Sequence, residues 1–165
     1  MSLSETLLRD AIAKKACIER TSTWDKNWDS KALVTYYKAN PNWCLKNRFP
    51  SLAILEQYFL TEEVYKMGVF ISKSIAMRIT EPCYIFNNCK AGIVCSTIST
   101  VYFGLSSKAK IIVDSEGDLR IDYYDNTQIE IETKGTGKCT IYQYGPIAPI
   151  IIGKNIRIKD RRKEK

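Results

Sequence analysis

The cysteines offer the first candidate chemistry. Six are present, Cys17, Cys44, Cys83, Cys89, Cys95 and Cys139, and the run Cys83-x5-Cys89-x5-Cys95 is evenly spaced. Zinc sites pair their ligands about two to four residues apart and commonly include histidine. This chain has no histidine, so the expectation is reduced thiols packed in strands, with no metal and no cofactor. The same absence removes Ser-His-Asp and Cys-His nucleophilic systems and histidine general bases.

The carboxylates and glycine-rich turns lead no further. Asp114-Ser115-Glu116-Gly117-Asp118 puts three acids on one turn, but without the EF-hand loop or the glycine-aspartate nonapeptides of calcium-binding solenoids it reads as a solvated turn. Glu130 and Glu132 share one strand face and read as solvent-facing charge. Lys134-Gly135-Thr136-Gly137-Lys138 loosely matches a phosphate-binding turn, and a corner between strands explains it as well. Neither Gly-x-Gly-x-x-Gly nor Gly-x4-Gly-Lys-Ser/Thr occurs. The expectation is a protein that is not an enzyme.

Basic and aromatic residues remain as binding candidates. The net charge is +7, and much of it lies near the C-terminus in Arg157, Lys159, Arg161, Arg162, Lys163 and Lys165. These six are the candidate nucleic-acid-binding residues, with Tyr142 and Tyr144 as stacking groups, set against the alternative of a solvated end. Trp43, Tyr142 and Tyr144 are the candidate protein-interaction residues.

The elements that must position these groups fall into two textures. Hydrophobic residues make up 45% of the chain and charged residues 26%, which suits a folded protein. Ser2-x-x-Glu5 is a capping-box pattern opening a helix from about Leu3 to Glu19. Asp29 or Ser30 caps a second helix, which Asn40-Pro41-Asn42 ends, and Phe49-Pro50-Ser51 turns into a third carrying Leu52, Leu55, Tyr58 and Phe59. Thr61 starts a last short turn closed by Gly68. Trp24, Trp28 and Trp43 lie between these helices, where packing is their expected role.

From Val69 onward, β-branched and aromatic runs alternate with turn residues. Ile111, Ile121, Ile131, Ile141 and Ile151 recur every ten residues, with Ala109, Leu119, Ile129, Cys139 and Pro149 two positions earlier. Strand side chains alternate faces, so these columns share the buried one, while Lys110, Arg120, Asp122, Glu130, Glu132 and Thr140 face water. Gly117 and Gly137, like Tyr124 and Tyr144, recur twenty apart. That period predicts a parallel β-solenoid with two strands per coil, stacking Ala91, Ile111, Ile131 and Ile151 in one ladder and Val101, Ile121 and Ile141 in another. An antiparallel meander is the alternative. The fold class is α+β, divided into a helical region 1–68, a repetitive β-domain 69–155 and a basic tail 156–165.

The N-terminus lacks the pattern of a secretory signal, and the apolar run Ile147 to Ile152 is interrupted by Pro149 and too short to span a bilayer. The expected location is the cytoplasm, away from membranes.

The stretches Tyr36-Tyr37, Asn42-Trp43-Cys44, Phe49-Pro50-Ser51, Tyr124 to Ile131 and Thr140 to Gly145 resemble a group of small proteins, without assigned activity, of gut Bacteroidales genomes and their phages. The resemblance implies a phage or mobile-element setting, in a bacterial cell or a virion, and carries no catalytic residue with it. The functional expectation is a non-enzymatic interaction or structural accessory protein that binds a protein partner or itself. The alternatives are a nucleic-acid-associating factor using the basic tail and a small-ligand-binding counter-defence protein.

Overall fold

The structure, a computed structural model, describes residues 1–164, apart from the side chain of Arg20. Two compact units follow one another along the chain, Met1–Met67 and Gly68–Lys165.

The first unit is helical. Helix α1, Leu3–Ala13, opens on the capping box: Glu5 N donates to Ser2 Oγ at 3.2 Å, and Ser2 N donates to Glu5 Oε2 at 2.9 Å. The helix is shorter than the expected Leu3 to Glu19. Lys15 takes a left-handed conformation (φ 59°), and Ala16 N folds back to Ala11 O, closing α1 before α2, Ile18–Ser22, begins. Asp29 caps α3, Ser30–Ala39, by accepting from Ala32 N at 2.8 Å. Asn40-Pro41-Asn42 ends α3 but also starts α4, Pro41–Lys46, with proline at the first helical position, where its missing N–H costs nothing. Helix α5 spans Leu52–Tyr58, and Thr61 caps α6, Glu62–Lys66. Trp24 is the buried centre of an aromatic group: its indole N–H reaches Ser4 Oγ at 2.8 Å, and its ring lies 4.8 Å from Tyr36 and 5.2 Å from Trp28.

The second unit is a parallel β-solenoid with two strands per coil. Its strands are β1 (Val69–Ile71), β2 (Ser74–Ile79), β3 (Cys83–Phe86), β4 (Lys90–Cys95), β5 (Ile98–Phe103), β6 (Lys108–Val113), β7 (Asp118–Tyr123), β8 (Gln128–Thr133), β9 (Lys138–Gln143), β10 (Ile150–Ile152) and β11 (Ile156–Asp160). Odd-numbered strands form one sheet, in the order β1-β3-β5-β7-β9-β11, and even-numbered strands the other, β10-β8-β6-β4-β2. Every pairing is parallel. Ile111 stacks on Ile131 and Ile131 on Ile151, while Val101, Ile121 and Ile141 form the opposite ladder. The meander, which would pair Ile111 with Ile121, is thereby set aside.

The coil length is not constant, and this corrects one ladder. Ala91 stacks on Ala109 and Ile93 on Ile111, eighteen residues apart. The cause is the turn: Ser96 and Thr97 alone join β4 to β5, whereas residues 114–117 join β6 to β7. The core ladder is therefore Ile93, Ile111, Ile131 and Ile151. Where the period is twenty, glycine is required at the corner, because a Cβ on Gly117 would lie 2.5 Å from Cys95 O of the preceding coil. Gly137 repeats that close approach against Asp114 O.

Cys83, Cys89, Cys95 and Cys139 are buried free thiols of this unit. Desolvation pushes Cys83 and Cys139 up to about 12, which keeps both protonated at neutral pH. No helix among the described residues is long and apolar enough to cross a membrane.

Candidate interaction face

The residues expected to form a basic tail begin instead as a strand. β11 runs beside β9 and is the last strand of the odd-numbered sheet. Ile156 and Ile158 pair with Cys139 and Ile141, whose side chains face the core. Alternation then turns Arg157 and Lys159 outward, next to Thr140 and Tyr142 of β9.

Tyr142 is the centre of this outer face. Lys159 Nζ donates to its hydroxyl at 3.0 Å, and the Arg120, Lys159 and Arg161 cations lie 4.3, 4.8 and 5.8 Å from its ring centre. The Lys159 hydrogen bond lowers the Tyr142 hydroxyl below the ordinary tyrosine range. One coil earlier, Asp122 occupies the same column as Tyr142. Asp122 corrects the expectation that it faces water, for it is fully buried. Arg120 forks onto it, Nε to Oδ1 at 2.7 Å and Nη2 to Oδ2 at 2.8 Å, and the fork raises Arg120 above the ordinary arginine value. Tyr144 stacks on Tyr124 with ring centres 4.4 Å apart and planes 2° from parallel. Burial raises both hydroxyls.

The face thus gathers Arg157, Lys159, Arg161, Tyr142 and Tyr144 from the predicted set, and adds Arg120, Asp122 and Tyr124. Asp122 and Tyr124 sit twenty residues before the predicted Tyr142 and Tyr144, so the period could have found them, and Arg120 lies in the same way beneath Thr140 of β9. The other predicted residues lie elsewhere. Arg162 turns to Asp160, with Nη2 2.6 Å from Oδ2, and holds that carboxyl well below the usual carboxylate range. Lys163 is exposed in the terminal turn, and Lys165 lies outside the described residues. Trp43 belongs to the helical unit, half-buried against Phe49 at 5.4 Å.

The last coil carries a second feature. Ile151 and Ile158 top the two core ladders, yet they are 40% and 42% exposed, against 0% for Ile131 directly beneath Ile151. Ile150 and Ile152 are also exposed. A bare apolar end therefore adjoins two edge strands, β10 and β11. Arranged this way, the unit offers surfaces for association. Among the described residues, no cluster of three or more cysteine or carboxylate side chains is placed to hold a metal ion. Compared with known protein families, with curated proteins and with solved structures, the chain matches none.

Proposed function

We propose that this is a non-enzymatic interaction protein whose β-solenoid pairs end to end with a second copy of itself. The carrying observation is the bare last coil: Ile151 and Ile158 stand partly in solvent above Ile131 and Ile141, which fill the core one coil earlier, and Ile150 and Ile152 are exposed on the outward side of β10. Solenoid ends are ordinarily closed by a polar cap, and an open edge strand templates pairing with another chain. A two-fold axis suits this end because it closes the assembly at two copies. Pairing β11 with β11 of the partner would set Arg157 opposite Lys159, a repulsive arrangement. Pairing β10 with β11 of the partner avoids it and joins the three isoleucines of β10 to the basic strand. The setting proposed for such a scaffold is the phage or mobile element that the sequence resemblance implies.

The test is light scattering on the full chain after size-exclusion chromatography. A dimer mass is expected, falling to a monomer for Ile151→Glu with its circular dichroism retained. A strict monomer across micromolar concentrations overturns the reading.

A second reading, association with a nucleic acid, is favoured by the row Arg157, Lys159 and Arg161, presented at alternate positions along one edge. With Tyr144 stacked on Tyr124 and the Tyr142 ring surrounded by cations, binding would rest on phosphate contacts alone. Deleting the C-terminus would remove β11, so Arg157→Gln with Lys159→Gln is the appropriate variant. It should weaken binding to single-stranded DNA and flatten its salt dependence; absence of binding by the wild type at low salt refutes this reading.

A further inference from the structure

The even-numbered sheet carries a groove that shares only Ile150 with the pairing end described above. It crosses β4, β6 and β8 near their N-terminal ends, has a volume of about 550 Å³, and is bordered by Ile147, Ala148 and Ile150. That volume is within the range of small-molecule sites, about 300–1,000 Å³. We propose that this groove binds an amphipathic organic anion, a carboxylate or phosphate monoester with an apolar body.

Three observations converge on that ligand chemistry. Lys90 and Lys108 are direct ladder partners, so two ammonium groups spring from adjacent strands about 4.8 Å apart. Neither has a carboxylate partner among the described residues, and like charges directly opposite one another destabilise a sheet unless an anion bridges them. Lys110, by contrast, is already paired with Glu130 at 3.4 Å, which leaves the Lys90 and Lys108 pair as the open cationic end. Second, the column holding Lys110 and Glu130 has Gly92 next to Lys110, between it and Ala76. A Cβ there would meet only Ile75 O, at 4.0 Å, so the floor is open where any other residue would project a side chain. Third, the opposite border, Ile147, Ala148 and Ile150, is apolar and suits a hydrocarbon body. Lysines act as point charges without arginine's planar fork, so they accept carboxylate and phosphate alike.

The test uses three alkyl probes, decanoate, octyl phosphate and decylammonium, titrated into the full chain while the Gly92 amide is followed by NMR. The anions should shift that amide and the cation should not; a preference between the two anions identifies the headgroup class. Lys90→Gln combined with Lys108→Gln should weaken anion binding about tenfold. Gly92→Val should abolish it, with an unchanged or raised melting temperature because the backbone there is ordinary strand and valine favours strands. Equal binding of decylammonium, wild-type affinity in folded Gly92→Val, or an anion effect lost in Ile151→Glu but kept in Gly92→Val would overturn the proposal.

Discussion

Truncating the isoleucine ladder at two heights should give very different costs. Ile131 is fully buried between Ile111 and Ile151, whereas Ile151, on the last described strand of its sheet, is 40% exposed. Ile131→Ala removes three buried carbons, about 2.5 kcal/mol at roughly 0.8 kcal/mol per group, and leaves a cavity that rigid neighbouring coils cannot close, for a total of about 3–4 kcal/mol. For Ile151→Ala the transfer loss scales with its smaller burial, to about 1.5 kcal/mol, and the gap opens to solvent instead of forming a void. Urea unfolding followed by far-UV circular dichroism reads both units, while the fluorescence of the three tryptophans, all in the helical unit, reports that unit separately, so the β-unit is read as the transition the tryptophans do not follow. At concentrations low enough for a monomer the two variants should differ by about 2 kcal/mol. Equal costs under those conditions would refute the ladder as the source of stability. At high concentration the Ile151→Ala cost should grow, because dimerisation would bury that side chain and link stability to concentration.

Arg120→Ala should destabilise the β-unit by about 2–3 kcal/mol, less than the roughly 3–5 kcal/mol of a fully buried pair because Arg120 is 42% exposed. Arg120→Lys should recover only part of this, since lysine cannot fork onto Asp122; a neutral alanine variant in urea unfolding would contradict the geometry. Alkaline pH should also weaken the unit. Burial raises Cys83 and Cys139 from the ordinary value of 9.0 to about 12, so the folded state holds protons that the unfolded state releases. The stability they support is present in full below pH 9 and is lost as pH climbs through about 12, and Cys83→Val should shallow that decline in pH-dependent unfolding.

Much of the architecture was legible because it rests on local rules. The caps at Ser2, Asp29 and Thr61 follow from short-range hydrogen bonding, and the buried columns through Ile121, Ile131 and Ile141 follow from strand alternation. The twenty-residue coil could be read from paired recurrences such as Gly117 with Gly137. Helix α4 was missed because Asn40-Pro41 is both a stop for one helix and a start for the next, and only packing decides whether a second helix follows.

Residue order by itself therefore determined which side of each strand is apolar, since that depends on a period of two within one strand. It also determined that helices precede strands. The partners across coils were decided by the tertiary structure, because register depends on turn length: the two-residue link Ser96-Thr97 moved Ile111 onto Ile93. The same through-space register set Lys159 against Tyr142 and stacked Tyr142 on Asp122, whereas the Arg120 fork onto Asp122 is made within one strand. It likewise left Ile151 and Ile158 uncovered, although their side chains are as apolar as those of Ile131 and Ile141 beneath them. Alternation specifies a face, but burial of that face requires a neighbouring coil, and the described coils end at β10 and β11.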